Sequence, residues 1–107
     1  KFELEKQFLA DYTSTNQTVR VYIQKMLTRL YAADDPTQID ATHNSKINSL
    51  GFPIYHMETA DGYRLYYAYS KTSAKPIHIL CHCNKSKETV YFNKMKNSET
   101  LKKKFRN

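Results

Sequence analysis

The chain has 107 residues, of which 40% are hydrophobic and 25% charged, and its 17 Lys and Arg against 10 Asp and Glu leave a net charge of +7. That length holds one core rather than two, and that balance belongs to a folded chain rather than a disordered one. No run approaches the roughly 18 apolar residues of a membrane span or the apolar stretch of a secretion signal, and Cys81 and Cys83 alone make no disulfide framework, so a reducing, cytoplasmic setting without a membrane is expected.

Phe2 to Phe8 alternates apolar and polar residues and reads as a short edge strand, with a helix beginning by Phe8. From Thr15 to Ala33 the residues Val19, Tyr22, Ile23, Met26, Leu27, Leu30 and Tyr31 recur at three- and four-residue steps, which puts them on one helix face. Asp34-Asp35-Pro36 ends that helix, because proline holds the residue before it extended. A polar stretch follows from Thr37 to Asn48, with room for a helical turn or two.

After Pro53 the period becomes two. Ile54 to Thr59, Tyr63 to Ser70 and Ile77 to Cys83 read as consecutive antiparallel strands. The Ala60-Asp61-Gly62 step joins the first pair as a hairpin, and Lys71 to Pro76 forms a looser turn. The tail from Glu88 to Asn107 is expected to add a short strand or a terminal helix starting near Ser98. The expected architecture is α+β: one domain over residues 1–107, with an N-terminal strand and a helical hairpin packed on a small antiparallel sheet, and a basic C-terminal tail.

Charge divides unequally along this plan. Residues 1–62 carry a net −2 and residues 63–107 a net +9, so a polyanion such as RNA would meet the second half. Strict alternation puts Ile77, Ile79, Cys81 and Cys83 on one face of the last strand and His78, Leu80 and His82 on the other. Carried across the neighbouring strands, it gathers His56, Glu58, Arg64, Tyr66, His78 and His82 on a single open face, opposite the helices. Such a face has the parts for cutting RNA by internal transphosphorylation. Histidine exchanges protons near neutrality, arginine offers a rigid fork to phosphate oxygens, and Tyr66, Tyr91 and Phe92 offer rings for base stacking. No metal or other cofactor is called for. The Cys81-His82-Cys83 triplet does not suggest zinc, since alternation points the ring away from the sulfurs and no second Cys/His cluster stands at zinc spacing. Phosphate-binding glycine loops and serine-hydrolase or zinc-protease motifs are absent.

The order of elements, together with the central Tyr63-Arg64-Leu65-Tyr66-Tyr67 run, resembles the RelE/ParE superfamily of bacterial toxins. His43, Gly51 and His56 are spaced like the His-x7-Gly-x4-His arrangement of its YafQ-like branch. In that branch a further catalytic histidine ends the last core strand, where His82 stands, and a catalytic aspartate follows the second histidine, where Asp61 stands. The segment Lys85-Ser86-Lys87-Glu88-Thr89 looks more like the HigB-type branch, and aromatic residues arrive only at Tyr91 and Phe92.

The resemblance implies a metal-independent ribonuclease that cuts mRNA on the ribosome and is neutralised by a small acidic antitoxin. It casts His43, His56, Asp61 and His82 as catalytic residues, to which the chemistry of the sheet face adds Arg64 for the phosphate, with Tyr66, Lys85, Lys87, Tyr91 and Phe92 expected as RNA contacts. Rival readings are a ParE-like toxin that binds DNA gyrase without chemistry, a basic RNA- or DNA-binding module, and the nuclease tip of a larger secreted toxin, which a first residue other than Met leaves open.

Overall fold

The computed structural model describes residues 2–38, 42–44, 54–59, 62–69, 75–87, 89–91 and 93. Strand β1 (Phe2–Leu4) is followed at once by helix α1 (Lys6–Ser14) and helix α2 (Gln17–Ala32). The first helix therefore begins before Phe8, and that residue is buried as a helical side chain. Asn16 caps α2 by accepting the Val19 N–H at 2.9 Å, and the three- and four-residue steps bury Ile23, Met26 and Leu30. At the joint between the helices the Arg20 guanidinium donates twice to the Thr15 carbonyl, at 3.1 and 2.8 Å, which holds α1 against the first turn of α2.

The remaining strands are β2 (Thr42–Asn44), β3 (Tyr55–Glu58), β4 (Tyr63–Tyr69) and β5 (Ile77–Asn84), and the sheet order is β1-β5-β4-β3-β2. Three strands form the expected antiparallel meander, with Gly62 at φ +80° in the hairpin between β3 and β4. Its N–H donates to the Thr59 carbonyl at 2.9 Å, a left-handed conformation that a side chain would strain. Two features depart from the sequence reading. Strand β1 pairs with β5 in parallel, with Phe2 opposite Ile77 and Leu4 opposite Ile79, so the sheet is mixed rather than antiparallel. The long helical crossover permits this, since parallel neighbours need such a connection. Strand β2 arises in the stretch read as polar, where its backbone pairs with β3 despite a Thr-His-Asn sequence that favours no strand by itself.

The core lies on both faces of the sheet. One face, covered by α1 and α2, packs Met57, Leu65, Tyr67, Ile77 and Ile79 against Phe8, Ile23, Met26 and Leu30. Tyr67 also sends its hydroxyl to the Pro36 carbonyl at 2.8 Å, tying β4 to the turn that follows α2. The second face holds Ile54, Tyr66, Ala68, Leu80, Cys81 and Cys83, with Tyr91 packed against them.

A register shift in β5 decides which face each of its side chains occupies. Tyr66 pairs with Cys81 but Tyr67 pairs with Ile79, so Leu80 is an extra residue, a β-bulge. Beyond it the alternation is reversed. Ile77 and Ile79 face the helices, whereas Leu80, Cys81 and Cys83 gather on the second face. The expected single set of Ile77, Ile79, Cys81 and Cys83 is therefore split. His82, opposite Leu65, comes to the helix side and does not share a face with His56 and Arg64. Nor is the second face open, because Tyr66 is 0% exposed and His56 and His78 only 7%.

Candidate active site

Where β4 begins and β5 ends, a cleft of about 340 Å³ opens between the sheet, the end of α1, the start of α2 and the segment carrying Lys87 and Tyr91. His82 lies in its wall and is 4% exposed. Its ring meets Phe8 edge to face, with centroids 5.6 Å apart, and its Nδ1 is hydrogen bonded to the Tyr63 hydroxyl. The Nε2 atom is buried and has no hydrogen-bond partner among the described residues. Burial pushes the His82 pKa below its ordinary value, against a smaller upward pull from the Asp11 carboxylate, so the ring is neutral at neutral pH. Burial also raises the Tyr63 hydroxyl strongly, keeping it protonated and able to donate.

Asp11 holds the other side of the cleft. Its Oδ1 accepts from the Gln7 amide at 2.9 Å and its Oδ2 from the Tyr91 hydroxyl at 3.1 Å. The Tyr91 pKa is pushed up to about 12, chiefly by burial and then by this carboxylate. Since Tyr91 also packs against the second face, it wraps the end of the sheet and joins its two sides. Lys87, Asn84 and Ser14 add exposed polar groups to the lining.

Of the residues expected to act together, the structure gathers His82, Lys87 and Tyr91. Others lie elsewhere. Arg64 is on the second face, its Nη2 3.4 Å from Glu58 Oε1, which stands directly across from it on β3. His56 and Tyr66 are cross-strand neighbours on that face with ring centroids 5.4 Å apart. Tyr66, fully buried in the core, offers no surface for a base, contrary to the stacking role expected of it. The backbone of His43 pairs opposite His56 on β2, and Lys85 opens the single turn that ends at Lys87. Asp61, Phe92 and the basic tail fall outside the described residues.

Two members of the site were not anticipated. Strict alternation puts Tyr63 and His82 on opposite faces, and only the reversed alternation beyond the bulge brings them onto the same one. Asp11 sits 71 positions before His82 and reaches the cleft because β1 and β5 pair. Among the described residues no three His, Cys, Asp or Glu side chains are grouped to hold a metal ion, and no helix is long and apolar enough to cross a membrane. No family model, curated protein or solved structure matches the chain significantly.

Proposed function

We propose that the protein is a metal-independent endoribonuclease toxin that cuts mRNA by attack of the 2′-hydroxyl on the adjacent phosphate. The observation that carries this reading is the cleft itself, which places a neutral histidine, an exposed lysine and an aromatic ring together. Transphosphorylation needs a proton acceptor for the 2′-hydroxyl, a cation for the charge that builds on phosphorus, and a donor for the departing 5′-oxygen. A histidine held neutral is competent as the acceptor. The Lys87 ammonium supplies the cation and the proton for the leaving oxygen, and Tyr91 supplies a ring edge or face for a base beside the scissile phosphate. The +9 charge of residues 63–107 supports a polyanionic substrate and, equally, neutralisation by a small acidic antitoxin. On this reading the site of action is the cytoplasm, on ribosome-bound message, and the family resemblance of the Tyr63–Tyr67 run and the histidine spacing supports that assignment.

The test is to incubate the purified protein with translating ribosomes and map new 5′ ends by primer extension, in parallel with His82→Ala. Discrete cleavage by the wild type alone supports the reading. Unchanged cleavage by the variant, or growth arrest with DNA damage and intact message, overturns it.

A further inference from the structure

We infer that the Tyr63 hydroxyl, and not the His82 ring, is the group that meets the 2′-hydroxyl, with His82 standing behind it as the store for the proton. The inference rests on the ribonuclease reading above and deepens it. Its ground is the layering of the two rings. His82 is almost wholly enclosed, with Phe8 closing against its ring, Nε2 buried and Nδ1 occupied by Tyr63. Tyr63 is only partly buried and lines the same cleft. A substrate in the cleft therefore meets Tyr63 as part of the wall, whereas contact with His82 Nδ1 requires the Tyr63 hydroxyl to leave.

In the proposed transfer Tyr63 donates to Nδ1, the direction that suits a hydroxyl held protonated by burial, and the neutral ring then carries its own proton on Nε2. As the 2′-oxygen closes on phosphorus, its O–H bond breaks and the proton passes to the Tyr63 oxygen, while the tyrosine proton moves to Nδ1 and forms an imidazolium. The new 2′-oxygen–phosphorus bond displaces the 5′-oxygen, which takes a proton from the Lys87 ammonium. The products are a 2′,3′-cyclic phosphate and a free 5′-hydroxyl. The imidazolium then returns its proton through Tyr63 to solvent, and solvent recharges Lys87. Tyrosine never carries a full negative charge in this sequence, which its buried setting would penalise. The Asp11 carboxylate, held between Gln7 and Tyr91, stabilises the transient imidazolium through space.

Two measurements test this. Cleavage rates are compared for wild type, Tyr63→Phe, His82→Gln and the double variant on one RNA. A relay predicts a loss of roughly 10²-fold or more for each single change and no further loss on combining them, because the two groups act as a unit. Tyr63→Phe with at least half the wild-type rate overturns the inference. The second measurement needs no activity: nitrogen NMR of His82 across pH, in wild type and Tyr63→Phe. The inference expects the Nε2-protonated tautomer in wild type and an upward move of the His82 titration when the donor is removed. A tautomer protonated on Nδ1, or a titration unmoved by Tyr63→Phe, overturns it even if RNA is cut. A wild type that cuts no RNA but shows the expected nitrogen pattern instead overturns the ribonuclease reading, and with it the tyrosine's role toward substrate.

Discussion

Leu65 and His82 face each other directly across β4 and β5, so the histidine shares the helix-covered side of the sheet with a core leucine. Its position depends on the packing of α1 as much as on its own strand. Replacing it tests chemistry and fold together, and the two are separable. His82→Gln keeps a polar side chain of similar reach and is expected to lower cleavage by about 10²- to 10⁴-fold, the usual worth of a proton-transfer group. A thermal melt within a few degrees of wild type shows that the loss is chemical.

The same histidine makes stability depend on pH. Its pKa is lowered by folding, so the native state binds fewer protons than the unfolded one below the ordinary value of 6.5. Stability is therefore complete above 6.5 and is lost as the pH falls through the lowered native value. Urea unfolding at a series of pH values is expected to show that decline in wild type and a shallower one in His82→Gln. Equal slopes would mean that His82 carries none of it.

Tyr67→Phe addresses the fold alone. The Tyr67 hydroxyl is buried against the Pro36 carbonyl, far along β4 from the cleft, and its removal is expected to cost on the order of 1 kcal/mol of unfolding free energy. Cleavage measured well below the melting temperature is expected to stay within twofold of wild type.

Lys87→Ala addresses the phosphate. Losing one cation from the contact surface is expected to reduce the steepness with which RNA affinity falls with salt, by about one in the log–log slope. Filter binding of a single RNA over a range of salt concentrations measures this, and an unchanged slope would place Lys87 outside the contact.

Arg64→Ala separates the two faces of the sheet. Its guanidinium is engaged with Glu58 on the side away from the cleft, so the variant is expected to unfold at lower urea while keeping wild-type cleavage when folded. A large loss of cleavage at unchanged stability would return Arg64 to the chemistry.

Much of this arrangement is legible in the sequence. The steps from Val19 to Leu30 declare a helix because each lies on one stripe, and Asp61-Gly62 declares a hairpin because only glycine accepts the positive φ found there. Lys87 and Tyr91, which follow β5, line the same cleft as His82. The bulge was not legible, and its physical reason is plain. From Ile77 to Cys83 the strand carries apolar or buried residues at every position, so no polar side chain marks the point where the alternation slips. One extra leucine was enough to move His82 from the side of Arg64 to the side of Tyr63. Strand β2 escaped for a different reason, since its order comes from pairing with β3 and not from the preferences of Thr42, His43 and Asn44. Asp11 escaped because its meeting with Tyr91 spans 80 positions.

The parallel pairing of β1 with β5 also sets an order of events. Phe2 is synthesised 75 positions before its partner Ile77, so this edge of the sheet stays unfinished until β5 exists. Contacts of such separation are slow to form, because the loop between them must be closed before they stabilise anything. The cleft takes one wall from α1 and the other from β5, and this pairing brings those walls together. A nascent chain thus holds no assembled cleft until β5 has been made and has docked beside β1.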